Sequence, residues 1–245
     1  MPPEWLDRPG YRLAYRRVEG KGPTVVWLGG FRSDMLGTKA EVLAEWAART
    51  GHGFLRFDYF GHGESDGAFE EGTIGRWHED ALAVIDDLTS GPLVLVGSSM
   101  GGWLACLVAM ARPGRVRAMV LIAPAADFTS ELMEKEMPAE ACAEMAATGR
   151  WRRPSDYGDP YPITRHLIED GRRWAILGAP VSFAGPVRIL QGGADPDVPW
   201  RHALRLAEAI TSTDVVFSLI KDGDHRLSRP QDLHRLMAAV EEIAA

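Results

Sequence analysis

Cysteine is scarce in this chain: only Cys106 and Cys142 occur in 245 residues. Two thiols cannot build the disulfide framework of a small secreted domain, and such sparing use suits a reducing compartment. Both read as small buried hydrophobes. Long apolar runs are missing too, since none approaches the ~18 residues of a membrane helix. The opening "MPPEWLDRPG" has neither the basic start nor the apolar centre of a signal peptide. Nor is there a basic surplus. The 27 Lys and Arg stand against 34 Asp and Glu, a formal net charge of -7, which argues against a protein that must neutralise nucleic-acid phosphates. Repeats, low-complexity tracts and Ser/Gly linkers are absent. Together these absences predict a soluble, cytoplasmic protein with no presequence, no membrane insertion and no nucleic-acid partner.

What remains is a regular alternation of strand and helix signals. The segments "YRLAYRRV", "TVVWL", "GFLRFD", "PLVLV", "VRAMVLI", "VRILQ" and "VVFSLI" read as strands, the first of them at an edge. Between them lie helical spacings at 39–49, "RWHEDALAVIDDL", "GWLACLVAMA", "WRHALRLAEAI" and "QDLHRLMAAVEEIAA". Short apolar strands separated by helices predict an α/β fold, a doubly wound, mostly parallel sheet covered on both faces. The alternation stops between about Ala126 and Pro186, where Glu, Arg, Met and Pro dominate. A structureless loop of that length is unusual in a compact domain. The expectation is one domain, with 1–125 and 187–245 forming the core and 126–186 a mostly helical cap over the sheet's carboxyl edge, where ligands bind in such folds.

One junction carries chemistry. In "LVLVGSSMGG" the pattern G-x-S-x-G falls between a strand and a helix, which puts Ser99 on a tight turn with glycines on either side. Ser98 occupies a variable position of the pattern and should point away. A hydroxyl is a poor nucleophile, so Ser99 needs a histidine base and an acid to orient it. In this topology both must follow the serine, each in a loop after a later strand. Asp195 follows "VRILQ" and His225 follows "VVFSLI". His52 and His62 precede the serine, His78, His202 and His234 fall in helical patterns, and His166 lies in the insertion. Asp197 and Asp127 remain alternatives for the acid. The oxyanion donors expected are the backbone N–H of Met100, at the helix start, and that of Phe31 in "GGFRSD". Trp151, Arg152 and Arg153 of the insertion are candidates for touching substrate, although packing and solvated surface account for such residues as well. Neither Gly-rich loop has the Lys or the spacing of a phosphate loop, and the scheme needs no metal or organic cofactor.

The segments "GTKA", "RFDYFGHGESDG", "DDL", "GPLVLVGSSMGGWL", "DPDVPW", and "STDV" followed by "DHR" resemble the α/β-hydrolase superfamily. Within it they are similar to the mitochondrial abhydrolase-domain palmitoyl-protein thioesterases that also hydrolyse acyl glucuronides. These segments run from about residue 30 to residue 226. The resemblance implies a serine hydrolase of acyl thioesters or carboxylic esters with Ser99, Asp195 and His225 as triad. Its partner would be a small acyl ester or thioester, or an S-acylated protein. C–C bond hydrolysis and cofactor-free perhydrolysis use the same triad, and a non-catalytic binding protein on this fold is the alternative of another class.

Overall fold

Strands Leu93–Ser98 (β5) and Val116–Ile122 (β6) are apolar almost throughout, and a segment apolar on both faces is stable only with cover on both sides. The computed structural model, which describes residues 2–155 and 158–244, places them at the centre of an eight-stranded sheet. The remaining strands of that sheet are Glu4–Arg8 (β1), Tyr11–Val18 (β2), Lys21–Leu28 (β3), His52–Phe57 (β4), Val187–Gly192 (β9) and Val215–Ile220 (β10), in the order β1-β2-β4-β3-β5-β6-β9-β10. β1, β2 and β4 pair antiparallel and the rest are parallel. Helices Thr38–Thr50 (α1) and Pro230–Ala244 (α7) cover one face, packed on Trp46, Phe54 and Val120. The other face is covered by Ile74–Leu88 (α2), Met100–Ala111 (α3) and Trp200–Ala209 (α6), around Trp77, Trp103 and Leu121.

The edge differs from expectation. β2 is not outermost, because β1 pairs along it from Glu4 opposite Tyr15 to Arg8 opposite Tyr11. "EWLDR" has no apolar alternation and little burial, so its pairing is a property of the neighbouring strand rather than of its own pattern. Trp5 keeps its exposed ring under the Arg12 guanidinium, 4.4 Å from the ring centre.

The segment between β6 and β9 holds a π-helical turn at Thr129–Glu134 and two helices, Ala139–Thr148 (α4) and Arg165–Arg173 (α5). It also holds what the helical expectation did not include, an antiparallel pair of strands, Arg150–Ser155 (β7) and Gly158–Thr164 (β8). Asp156 and Tyr157 of "RRPSDYGDPYP" lie outside the described residues. The segment is tied to the core at its carboxyl end. Asp170 accepts the Gly75 N–H at 2.7 Å and Trp103 donates its indole N–H to Trp174 O at 3.2 Å, while within the segment Asp127 accepts the N–H groups of Ile176 and Leu177.

Candidate active site

Strand β5 turns into α3 within one residue, and the glycines make that possible. A Cβ on Gly97 would lie 2.3 Å from Gly101 O, and one on Gly101 would lie 2.0 Å from Leu28 O. Ser99 sits between them at φ 55°, ψ -119°. A non-glycine residue held there costs about 1–3 kcal/mol and persists only when its surroundings fix it. They do: the Ser99 N–H donates to Ile122 O at 2.9 Å, and its carbonyl accepts from Gly102 and Ala125 at 2.9 and 3.0 Å. The Ser99 hydroxyl is thereby raised above the sheet's carboxyl edge.

His225 Nε2 is 3.1 Å from Ser99 Oγ, and His225 Nδ1 is 2.9 Å from Asp195 Oδ2. The acid is fully buried and the imidazole largely so. Asp195 Oδ1 accepts the N–H groups of Asp197 and Val198 at 2.9 and 2.8 Å, and Oδ2 also accepts Gln191 Nε2 at 3.2 Å. These donors fix the plane of the carboxylate. The loops carrying Asp195 and His225 press together, since a Cβ on Gly192 would lie 2.4 Å from Gly223 O. The histidine loop is held further by the Leu227 N–H on Asp224 Oδ1, and by Lys39 Nζ on Arg226 O.

One rival acid is otherwise employed. Asp127, at φ 55° after β6, spends its carboxylate on Ile176 and Leu177, and burial raises its pKa above the ordinary carboxylate value. Asp197 gives its N–H to Asp195. One ligand atom each from Asp195, Asp197 and His225 lies within 4.8 Å of the others. Both oxygens of Asp195 are already bonded, however, so a cation there would have to displace the histidine.

The loop after β3 approaches the serine edge-on, and a Cβ on Gly30 would be 3.4 Å from both Ser98 O and Ser99 Cβ. Ser33 folds back onto Gly30 O through its N–H and hydroxyl at 3.1 and 2.8 Å. His62 precedes Ser99 in the chain, yet it braces this loop. Its Nε2 accepts the Arg32 N–H at 3.2 Å while Nδ1 donates to Phe60 O at 3.2 Å. Burial holds the His62 pKa down at about 4, so the ring stays neutral and can accept. The signal that could have found it is "GHG" just after β4. Met100 opens α3, and N–H groups of a first helical turn have no partner within the helix.

A cavity of about 440 Å³ opens at Ser99 and His225. Its apolar lining includes Phe31, Ala125, Phe128, Leu132, Met133 and Tyr161. Phe31 packs edge-on against Phe128, with ring centres 5.4 Å apart. Trp27, Thr38, Lys39, Asp197 and Arg226 line it as well. Of the three insertion candidates, Arg153 lines this cavity, opposite Tyr161 in the β7–β8 register. Trp151 packs into the core and Arg152 is exposed; neither is among the described lining residues. Cys106 lies buried behind the elbow, its thiol pushed up to about 12 by desolvation and so chemically quiet.

A mostly parallel sheet with a serine on a strand-to-helix elbow defines an α/β-hydrolase. The family described as Serine aminopeptidase, S33, matches residues 23–166. Palmitoyl-protein thioesterase ABHD10, mitochondrial, from Bos taurus is 39% identical over 98% of this chain and 79% of its own length. The mouse ABHD10 structure superposes with a TM-score of 0.91 at 38% identity, covering 99% of this chain and 98% of that one. A protein of Agrobacterium vitis S4, provisionally named a hydrolase, reaches 0.95 at 45% identity, covering 99% and 98%. The chain belongs to the S33 hydrolase family and to the family of the ABHD10 proteins, and it is an enzyme of the hydrolase class. The non-catalytic reading therefore falls. So does the cytoplasmic expectation, because the relatives matching nearly the whole chain are named as mitochondrial proteins. No helix among the described residues is long and apolar enough to cross a membrane.

Proposed function

We propose that Ser99 is the nucleophile of a two-step acyl transfer from carboxylic esters or acyl thioesters to water, with His225 as base and Asp195 as the group that orients it. The observation that carries this reading is the continuous path from Ser99 Oγ to His225 Nε2 and from Nδ1 to the buried Asp195 carboxylate. Ser99 Oγ attacks the acyl carbonyl as His225 Nε2 takes its proton, and Asp195 stabilises the imidazolium that forms. The Met100 and Phe31 N–H groups receive the oxyanion. His225 then protonates the leaving alkoxide or thiolate as the tetrahedral adduct collapses to an acyl-Ser99. Water, deprotonated by His225, attacks the ester, and the acid leaves as Ser99 regains its proton. The segment 126–186 acts as the cap over the apolar lining of the cavity. That lining suits a hydrocarbon acyl chain, and the thioesterase names of the ABHD10 relatives add the thioester to the substrates. Arg153, on the rim, is the one insertion candidate kept as a substrate contact.

The test is a panel of p-nitrophenyl esters and acyl thioesters of graded chain length assayed with wild type and Ser99→Ala. The proposal expects turnover of both classes by wild type and none above background by the variant. Equal turnover by the two proteins would overturn it.

A further inference from the structure

The loop after β3 holds a conformation that its own residues do not favour. Gly30 O accepts the Ser33 N–H at 3.1 Å, which closes a turn with Phe31 and Arg32 at its two central positions. Arg32 sits at φ 56°, whereas Phe31 is not among the residues with positive φ. Positive φ at the second central position alone is the type II form, and that position calls for glycine or asparagine. With an arginine there, the type I form is the easier one, and a flip of the single peptide between Phe31 and Arg32 reaches it. The observed form persists only because something outside the loop holds that peptide.

The hold comes from the loop after β4. Gly61 and Gly63, at φ 71° and 46°, turn the chain tightly on either side of His62: a Cβ on Gly61 would lie 2.8 Å from Phe69 N, and one on Gly63 2.1 Å from Asp58 Oδ2. The buried His62 ring stands edge-on to Phe69 and Trp77, with ring centres 5.2 and 5.1 Å away. Phe31 packs on the same two rings, at 5.0 and 5.8 Å. Because Nδ1 donates to Phe60 O, Nε2 carries a lone pair, and it accepts the Arg32 N–H, which belongs to the peptide that would flip. Asp58 ties down the far end of the loop by accepting the Met35 N–H at 2.7 Å.

We infer that His62 is a positioning residue for acyl transfer: by accepting the Arg32 N–H it locks the turn that aims the Phe31 N–H at the oxyanion. The inference rests on the acyl-transfer reading, with Phe31 as one oxyanion donor. The loop already stands against the nucleophile, since a Cβ on Gly30 would be 3.4 Å from Ser99 Cβ. A flip beside Phe31 therefore re-aims its N–H relative to Ser99, and a hydrogen bond weakens steeply once its angle is lost. The oxyanion exists only after attack, so the loss falls on the transition state and leaves substrate binding alone.

The experiment compares His62→Phe, which keeps a ring against Phe69 and Trp77 but removes the acceptor, with His62→Gln, which keeps an acceptor and removes the ring. The readouts are kcat and KM for p-nitrophenyl butyrate and the Ki of 1,1,1-trifluoropentan-2-one. Ser99 Oγ adds to the carbonyl of that ketone as His225 takes the proton, giving a stable hemiketal oxyanion, and its Ki does not depend on how much of a sample is folded. In His62→Phe kcat should fall roughly 10- to 100-fold with KM within about twofold of wild type, and Ki should rise by a similar factor. His62→Gln should recover most of both. A purely structural role would lower Tm and the active fraction and leave Ki where it was. An unchanged Ki in His62→Phe, or a His62→Gln no better than His62→Phe, would overturn the inference. Independently of the variants' folding, the side-chain ¹⁵N spectrum of wild type should show His62, identified by the signal lost in His62→Gln, protonated on Nδ1 and bare on Nε2. A ring protonated on Nε2 would overturn the inference as well. No turnover of the ester by wild type would instead count against the acyl-transfer reading.

Discussion

Asp195 Oδ2 and His225 Nδ1 stand 2.9 Å apart, with the carboxylate fully buried and three N–H donors fixing its two oxygens. The acid therefore cannot turn to water, and the imidazole must present Nε2 to Ser99. In Asp195→Asn the Oδ1 acceptor for Asp197 and Val198 survives, while the charge opposite Nδ1 is lost. The fold should be kept and kcat for a p-nitrophenyl ester should drop roughly 10³- to 10⁴-fold. A steady-state assay with a melting curve on the same sample checks both; a loss under tenfold would mean that another group orients His225.

The elbow gives a prediction about stability. A methyl group on Gly101 would meet the Leu28 carbonyl at 2.0 Å, and backbone cannot swing aside as a side-chain tip does. Gly101→Ala should cost about 3 kcal/mol or more, lowering Tm by roughly 6–12 °C. Gly114, with open space around it, is the control: Gly114→Ala should melt close to wild type.

Burial of His62 makes stability depend on pH. Its folded pKa of about 4 lies below the ordinary 6.5, so the unfolded chain binds the proton more readily between those values. The stabilisation is complete above pH 6.5 and lost as pH falls towards 4. Asp58, raised to about 6 by burial, works the other way, stabilising at low pH and losing that contribution as pH rises through 6. Urea titrations of wild type and His62→Gln isolate the histidine. The stability difference between them should grow by about 3 kcal/mol from pH 4 to 6.5, and a constant difference would show that His62 does not titrate as its burial demands.

Met133 is nearly buried and forms part of the apolar wall. Met133→Trp should shorten the space for an acyl chain. The kcat/KM for a decanoyl ester should fall about tenfold or more relative to acetate, since each methylene excluded is worth roughly 1–3 kcal/mol. Chain-length profiles of the two proteins decide it.

Much of this was legible in the residues because it depends on chain order. Strands β3 to β6, β9 and β10 are apolar runs bounded by turns, and the serine, acid and histidine each follow one of them. What stayed hidden depends on contacts made across the fold. β1 is a strand because β2 offers it an edge. The β7–β8 pair hides in a stretch of Arg, Pro and Asp with no two-residue apolar rhythm. The separation of Arg153 from Trp151 and Arg152 is set by which residues of β7 reach the cavity. His62 looked idle because it precedes Ser99 in sequence, and only the folded loop brings its Nε2 to the Arg32 N–H. Lys39 was visible as part of "GTKA", but its reach to Arg226 spans 187 residues of chain.

The most direct measurement is intact-mass spectrometry after reaction with a fluorophosphonate, followed by peptide mapping. A single adduct should form on Ser99 in wild type, be absent in Ser99→Ala and form far more slowly in His225→Ala. No adduct on wild type, an adduct on Ser98, or equal labelling of Ser99→Ala would contradict the role of Ser99 as nucleophile.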